Sequence, residues 1–462
     1  MAGRRGGVLE RSGGPALVWL ALAALGAGLG SAPARAQVLQ IREATAASPA
    51  GIQPTLDQFR ADLGDPVNGN ARGSQGVGRR EITWDAGDND SAPARMPGDF
   101  FNLIAPRGIE FPGQSNLQMS ADTVNATATA IEFGNVNATY PTAFQPFSAP
   151  RLFVPLASNR LDASFRVPGT DQPAGVSGFG AVFTDVDGPG AARIDFFGQE
   201  GLLLSRDVLV TPGDASLSFL GASFDRPIVR VRITLGPSAV GPNDVTQTAS
   251  NPDIVALDDF VYGEPVPVAD VRVRDRVLEI FGGPEPDAIR ATQSKKRATV
   301  KLNGASWAFP AGSFDQIHVR GNAGDDEVRV KALLPVAIDG GAGDDRLFGA
   351  KVRQLLLGGA GADEIRGGSQ DDLLAAGSLI ATQGLLRDEL RAILEVWASD
   401  ADYATRLDAL RDGSLAPAFA AGVLEDVDPS DELKGAKGDD WFLGADPAEA
   451  LDLQDAESFD TL

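Results

Sequence analysis

Gly340-Gly341-Ala342-Gly343-Asp344-Asp345-Arg346-Leu347 reads as one unit of the nonapeptide GGxGxDxUx, in which U is a large apolar residue. The phrase returns as Gly358-Gly359-Ala360-Gly361-Ala362-Asp363-Glu364-Ile365 and, one glycine short, as Gly321-Asn322-Ala323-Gly324-Asp325-Asp326-Glu327-Val328. Glycines at the first, second and fourth places permit positive φ angles, which would turn the carbonyls inward. The aspartate at the sixth place adds a hard anionic oxygen, and the apolar residue two places on points to the interior along a short strand. One nonapeptide is therefore half an ion site and half a core. Ca²⁺, which takes six to eight oxygens at about 2.3–2.6 Å, suits such a donor set.

Register strengthens the reading. The blocks at Gly340 and Gly358 are eighteen residues apart, two nonapeptides, so they stack on the same side of a two-sided coil. Between them Gly349 to Leu357 keeps the frame, with Val352 and Gln354 where glycine and aspartate belong, and reads as a purely structural turn. The next block, Gly367-Gly368-Ser369-Gln370-Asp371-Asp372-Leu373-Leu374, keeps the aspartate. The block at Gly321 starts nineteen residues before Gly340, so one bulged residue is expected. A further member, Gly435-Ala436-Lys437-Gly438-Asp439-Asp440-Trp441-Phe442, lies downstream, and a decayed one, Gly282 to Ile289, precedes the rest.

These residues resemble the RTX, or hemolysin-type, calcium-binding repeat family. In that family carbonyls and aspartates from stacked loops hold each ion, so the resemblance implies a site between Asp345 and Asp363 and another between Asp326 and Asp345. Gly341, Gly343, Gly359 and Gly361 are the expected carbonyl turns, and Asp372 and Asp440 are further candidate ligands.

The chain of 462 residues carries a net charge of −23 and no cysteine. Its first 36 residues look like an export signal: Arg4, Arg5 and Arg11 precede an uncharged apolar run from Pro15 to Gly30, and Ala34-Arg35-Ala36 offers a cleavage site. That run is about sixteen residues, short of the ~20 a spanning helix needs, so no membrane span is expected after cleavage. The leader holds four arginines and one glutamate, a net of +3, so the mature chain is −23 − 3 = −26. Such a surface repels nucleic acid and anionic lipid and favours divalent cations as counterions. Without cysteine there is neither a disulfide frame nor a thiolate metal site.

The fold class expected is mainly β: an N-terminal antiparallel, jelly-roll-like sandwich and a short C-terminal parallel β-roll with a helical insert. The boundaries read as signal 1–36, linker 37–50, sandwich 51–265, β-rich lead-in 266–320, roll 321–380, helical insert 381–412, and an acidic segment 413–462 with the last repeat. Strand-like runs such as Phe179-Gly-Ala-Val-Phe-Thr-Asp and Ile228-Val-Arg-Val-Arg-Ile-Thr-Leu, separated by Gly, Pro and Asp, support the sandwich. This stretch resembles exported bacterial jelly-roll domains reading GFGAxFxDVD, here Gly178 to Asp187, and DDFxYGEP, here Asp258 to Pro265. In the insert, Leu386, Leu390, Ile393, Leu394 and Trp397 recur at helical spacing, Ser399 is the expected cap of a second helix, and a lid over the open end of the coil is the expected role.

Nothing in the sequence assembles a catalytic set. His318 is the sole histidine, which excludes zinc-protease motifs, and no GxSxG elbow is present. Asp258 and Asp259 are adjacent and on a regular strand face opposite ways. Asp185 and Asp187 would share a face about 6.6 Å apart, within glycosidase range, but Gly188-Pro189-Gly190 marks a turn there, so a structural calcium site suits them better. The expectation is an exported, non-enzymatic, calcium-binding protein of surface or matrix attachment, its sandwich meeting a glycan or an envelope or matrix protein. The alternative is a secreted, glycan-active hydrolase whose repeats assist folding.

Overall fold

The computed structural model describes residues 37–85, 95–114, 116–120, 131–156, 158–241, 253–379, 386–411, 423–424, 431–444, 450–452 and 458–461. The expected export signal lies outside them. Among the described residues no helix is long and apolar enough to cross a membrane.

The N-terminal half is a sandwich of two antiparallel sheets. Its main strands are β1 (Val38–Ala46), β2 (Phe153–Pro155), β3 (Arg160–Phe165), β4 (Ala174–Thr184), β5 (Ala192–Gly198), β6 (Gly201–Asp207), β7 (Leu217–Ile228), β8 (Arg230–Leu235) and β9 (Ala256–Gly263). One sheet runs β1-β7-β4-β9-β2 and the other β6-β5-β8-β3. Strands β2 to β9 thus pass between the sheets, with only the β5–β6 hairpin staying in one, in the order of an eight-stranded jelly roll. Alternation fixes the faces: Val231, Ile233 and Leu235 of β8 are buried against Phe179, Phe183 and Leu220 of the opposite sheet.

The expected linker is structured. Strand β1 pairs antiparallel along β7, and helix α1 (Pro49–Leu63) lays Ile52, Leu56, Phe59 and Leu63 on the outer face of that sheet. The glycines of the GFGA phrase make room for it. A Cβ on Gly178 would stand 2.7 Å from Leu63, and one on Gly180 2.9 Å from Phe59, while Phe179 between them points into the core.

The C-terminal half is a parallel β-roll longer than the repeats alone announced. One sheet stacks Val277–Phe281, Gln316–Ala323, Val336–Ala342, Gln354–Ala360, Leu373–Ala375, Trp441–Gly444 and Ser458–Thr461 in parallel, and the facing sheet stacks Ala288–Gln293, Glu327–Lys331, Arg346–Phe348, Glu364–Gly368 and Glu432–Ala436. The lead-in therefore already belongs to the coil. Its interior is built by the eighth residue of each nonapeptide: Ile289, Val328, Leu347 and Ile365 from one sheet meet Leu356, Leu374 and Phe442 from the other. The extra residue of the nineteen-residue coil leaves the aspartate turn intact, since Asn322 pairs with Gly341 and Glu327 with Arg346 in one constant offset. It is absorbed in the connection 332–335, where Leu333 lies exposed on the opposite side.

The helical pair does not lid the end of the coil. Asp345 N–H reaches Asp363 at an offset of 18 residues, Asp363 N–H reaches Asp431 at an offset of 68, and the difference, 68 − 18 = 50, is the length looped out before the coil resumes in register. Helices α2 (Leu386–Trp397) and α3 (Tyr403–Arg411) pack on the outward face of one roll sheet. There Leu390, Ile393, Leu394, Trp397, Leu407 and Leu410 cover Leu355, Leu357, Leu373, Trp441 and Leu443. The cap of α3 is Asp402, whose Oδ1 accepts Thr405 N–H at 2.8 Å, whereas Ser399 ends α2 by donating its N–H to Val396 O. Arg406, fully enclosed, ties the helices to the roll by donating to Trp397 O at 3.0 Å and pairing with Asp371.

Candidate metal centre

The sixth-position residues line up as two columns, one on each side of the coil. On the first side Asp287, Asp326, Asp345, Asp363 and Asp431 are stacked, each backbone N–H donating to Oδ1 of the next at 2.7–2.8 Å. On the second side Asp372 N–H donates to Asp440 Oδ1 at 2.7 Å, and Gln354 occupies the coil before Asp372. The expected pairings of Asp345 with Asp363 and of Asp326 with Asp345 are thus adjacent coils in the structure. Asp431 escaped the sequence reading, because the only trace of the repeat around it is an acid followed two places on by Leu433.

Two kinds of turn occur in these columns. In the open kind the second and fourth residues have positive φ: Gly341 and Gly343, Gly359 and Gly361, Asn322 and Gly324, Ala436 and Gly438. The first glycine serves differently from the expectation of positive φ. A Cβ on Gly340 would stand 2.2 Å from Asp345 Oδ2 and 2.5 Å from Gly358 O, so glycine is needed there for close approach. In the closed kind the sixth residue accepts a backbone N–H of its own turn. Asp287 Oδ2 accepts Gly283 N–H, Gln354 Oε1 accepts Ala350 N–H at 2.7 Å, and Asp372 Oδ2 accepts Gly368 N–H. Asp372 thus turns Oδ2 to its own backbone and keeps Oδ1 buried, while Gln354 is the structural plug that its amide suggested.

In the turns of Asp326 and Asp345 Oδ1 is used by the ladder and Oδ2 is left over. The Oδ2 atoms of Asp326 and Asp345 are buried and accept no hydrogen bond. Burial pushes the Asp345 carboxyl up to about 7, with Asp339, Asp325 and Asp344 adding to the rise and the Asp326 amide opposing it. Asp326 is likewise raised to about 7, first by burial. The donors fit Ca²⁺: hard oxygens only, carboxylates whose negative form lacks a countercharge, and carbonyls gathered at the same turns. Asp326, Asp345 and Asp363 would hold it, with backbone carbonyls of the Gly340 and Gly358 turns. A cavity of about 260 Å³ opens on the same column, lined by Asp344, Asp345, Asp363, Glu364 and Glu432 together with Arg346, which pairs with Glu364.

Of two acidic groups in the sandwich, the Asp258 and Asp259 pair differs from expectation. The register of β9 slips between Leu257 and Phe260, so the adjacent Asp258 and Asp259 both turn to Ser148, whose Oγ lies 2.6 Å from Asp259 Oδ1 and 3.3 Å from Asp258 Oδ1. Burial, then the neighbouring acid, pushes Asp258 well up, and burial raises Asp259 to about 6 against the Ser148 hydrogen bond. Asp185 and Asp187 are joined by Asp253, their carboxylate oxygens lying within 4.8 Å of one another. His318 is buried on its strand with Nε2 3.0 Å from Gln316 Oε1.

Residues 337–351 and 354–378 match the RTX calcium-binding nonapeptide repeat, in four copies. This part of the chain is an array of RTX calcium-binding repeats. No curated protein matches the chain. Among solved structures it is similar to two variants of the catalytic domain of a GH87 alpha-1,3-glucanase. The first, in complex with nigerose, is 10% identical with a TM-score of 0.15, over 59% of this chain and 61% of that one. The second, in complex with tetrasaccharides, is 9% identical with a TM-score of 0.17, over 66% and 58%. The chain thus spans about three fifths of those domains, and superpositions this loose carry no argument.

Proposed function

We propose that this is an exported, non-enzymatic protein of surface or matrix attachment whose roll is ordered by Ca²⁺ at the open turns. The carrying observation is the pair of enclosed, unsatisfied oxygens Asp326 Oδ2 and Asp345 Oδ2 in a column of stacked acids. A bound divalent ion neutralises charges that otherwise oppose packing, and its binding energy becomes folding energy. Extracellular calcium modules bind at roughly 10⁻⁴–10⁻³ M, suited to calcium outside the cell. Ions would be shared between Asp326 and Asp345 and between Asp345 and Asp363, with Asp440 heading a further open turn across the coil.

The sandwich then offers its surface to a glycan or an envelope protein. Two observations favour this over a glycan hydrolase. Asp258 and Asp259 are 0% and 2% exposed, out of a substrate's reach. The Asp185, Asp187 and Asp253 oxygens gather within 4.8 Å of one another, a cluster of three acids that suits an oxygen-bound cation. The test is retention of residues 37–462 on envelope preparations with calcium and with chelator. Retention with calcium alone is expected, and no retention in either condition contradicts the attachment role.

A further inference from the structure

The first open turn of the roll is fastened to the sandwich through Asn322. That residue stands where the nonapeptide calls for glycine, yet keeps the positive φ of 86° that the turn needs. Asparagine tolerates this region better than most residues with a Cβ, and unlike glycine it brings an amide. The amide divides its two ends. Oδ1 accepts Gln172 Nε2 of the sandwich at 2.6 Å, and Nδ2 donates to Gly282 O of the preceding coil at 2.7 Å.

Two residues upstream, Arg320 Nη1 donates to Asp171 Oδ1 at 3.2 Å, with both side chains almost wholly enclosed. Arg272, from the strand entering the roll, donates to Asp171 O at 3.0 Å and shares the Phe281 ring with Arg320, their guanidinium carbons 5.0 and 5.3 Å from its centre. The sandwich side of this joint is rigid. Asn102, fully buried, donates Nδ2 to Thr170 O at 2.7 Å and accepts Gly169 N–H at 3.1 Å, which fixes the loop carrying Asp171 and Gln172. The roll side is the turn that closes on Asp326, whose Asn322 stacks directly on Gly341 and, through it, on Gly359.

We propose that the Gln172–Asn322–Gly282 bridge is a latch coupling calcium occupancy of the Asp326 and Asp345 turns to the seating of the sandwich on the roll. This rests on the calcium reading above. An ion shared by these turns fixes the backbone of Asn322 and so aims its amide at Gln172. Coupling of this kind is reciprocal, so the seated sandwich tightens calcium by the factor by which calcium tightens the seat. One hydrogen bond of this type corresponds to about a two- to tenfold effect.

The test is hydrogen exchange of the whole mature chain, with calcium and with chelator, in wild type, Asn322→Gly and Gln172→Ala. In wild type calcium is expected to slow exchange both in residues 321–326 and in the sandwich loop 167–173. Asn322→Gly restores the repeat consensus and the φ freedom, so it keeps slowing in the turn and loses it in the loop. Gln172→Ala, which leaves the turn untouched, does the same. Undiminished slowing of the loop in either variant overturns the latch, as does a wild-type loop indifferent to calcium while the turn responds. A wild-type turn that does not respond sinks the calcium reading and the latch with it.

Discussion

Asp345→Asn changes one oxygen to an amide nitrogen and reverses sign with the presence of calcium. Asp345 is 1% exposed, and its carboxyl is pushed from an ordinary 3.8 to about 7. For an acid with a raised folded pKa, the native state binds more protons than the unfolded state between these values. Its contribution is therefore favourable at low pH and is lost as pH rises from about 4 to about 7. Three pKa units correspond to about 4 kcal/mol, which local relaxation and water penetration around a buried charge reduce to about 2 kcal/mol. Asparagine keeps the Oδ1 acceptor for Asp326 N–H and removes the charge, as Gln354 does on the other side of the coil. The variant should be about 2 kcal/mol more stable than wild type at pH 7.5 in chelator, with the gain shrinking toward pH 4. In saturating calcium it should be the less stable of the two. Urea unfolding at both pH values, with chelator and with calcium, reads all four numbers. A variant destabilised equally in chelator and in calcium at pH 7.5 would refute the reasoning, because Asp345 would then be only a hydrogen-bonding turn residue.

Gly340→Ala places a methyl 2.2 Å from Asp345 Oδ2. It should cost about 2–3 kcal/mol and abolish the calcium-induced rise in melting temperature, as thermal denaturation with and without calcium would show. Asp259, raised to about 6, and Asp258, also raised by burial, should make the sandwich lose stability as pH climbs from about 4 through 6. Asp259→Asn should flatten that slope in urea unfolding followed by emission of Trp84, whose Nε1 donates to Asp258 O. Arg406→Lys cannot reproduce the fork that joins Trp397 O and Asp371, and should cost about 2–4 kcal/mol. Acrylamide quenching of Trp397 and Trp441 should report the loosened helices.

The roll was legible in the sequence wherever the nonapeptide kept its phrase, because the apolar eighth residue and the turn glycines answer to local geometry. It ran out where the coil continues without the phrase. Val277–Phe281 joins the parallel sheets on strand pairing alone, and Ala288–Gln293 was announced only by the decayed phrase Gly282 to Ile289. Resumption after the helices was visible at Gly435 but not at Asp431, since a ladder contact across 68 residues has no sequence period. In the sandwich, the strands of the jelly roll followed from alternation and turn residues, whereas β1 looked like a linker because its side chains lie along an edge with little apolar patterning. Asp258 and Asp259 were misplaced by assuming a regular strand, and only the slipped register brings both to Ser148. The distinction between open and closed turns was partly readable: Gln354 signalled a plug, but Asp372 keeps the ligand residue while its turn lacks the positive φ angles.

The most direct test of calcium-ordered packing is a calorimetric Ca²⁺ titration of residues 37–462, read alongside the melting temperature. The account predicts saturable binding in the range of about 10⁻⁴–10⁻³ M, a rise in melting temperature with calcium, and loss of both in an Asp345→Ala/Asp363→Ala double variant. Absence of binding heat and an unchanged melting temperature at millimolar calcium would contradict it, leaving the stacked aspartates as turn residues only.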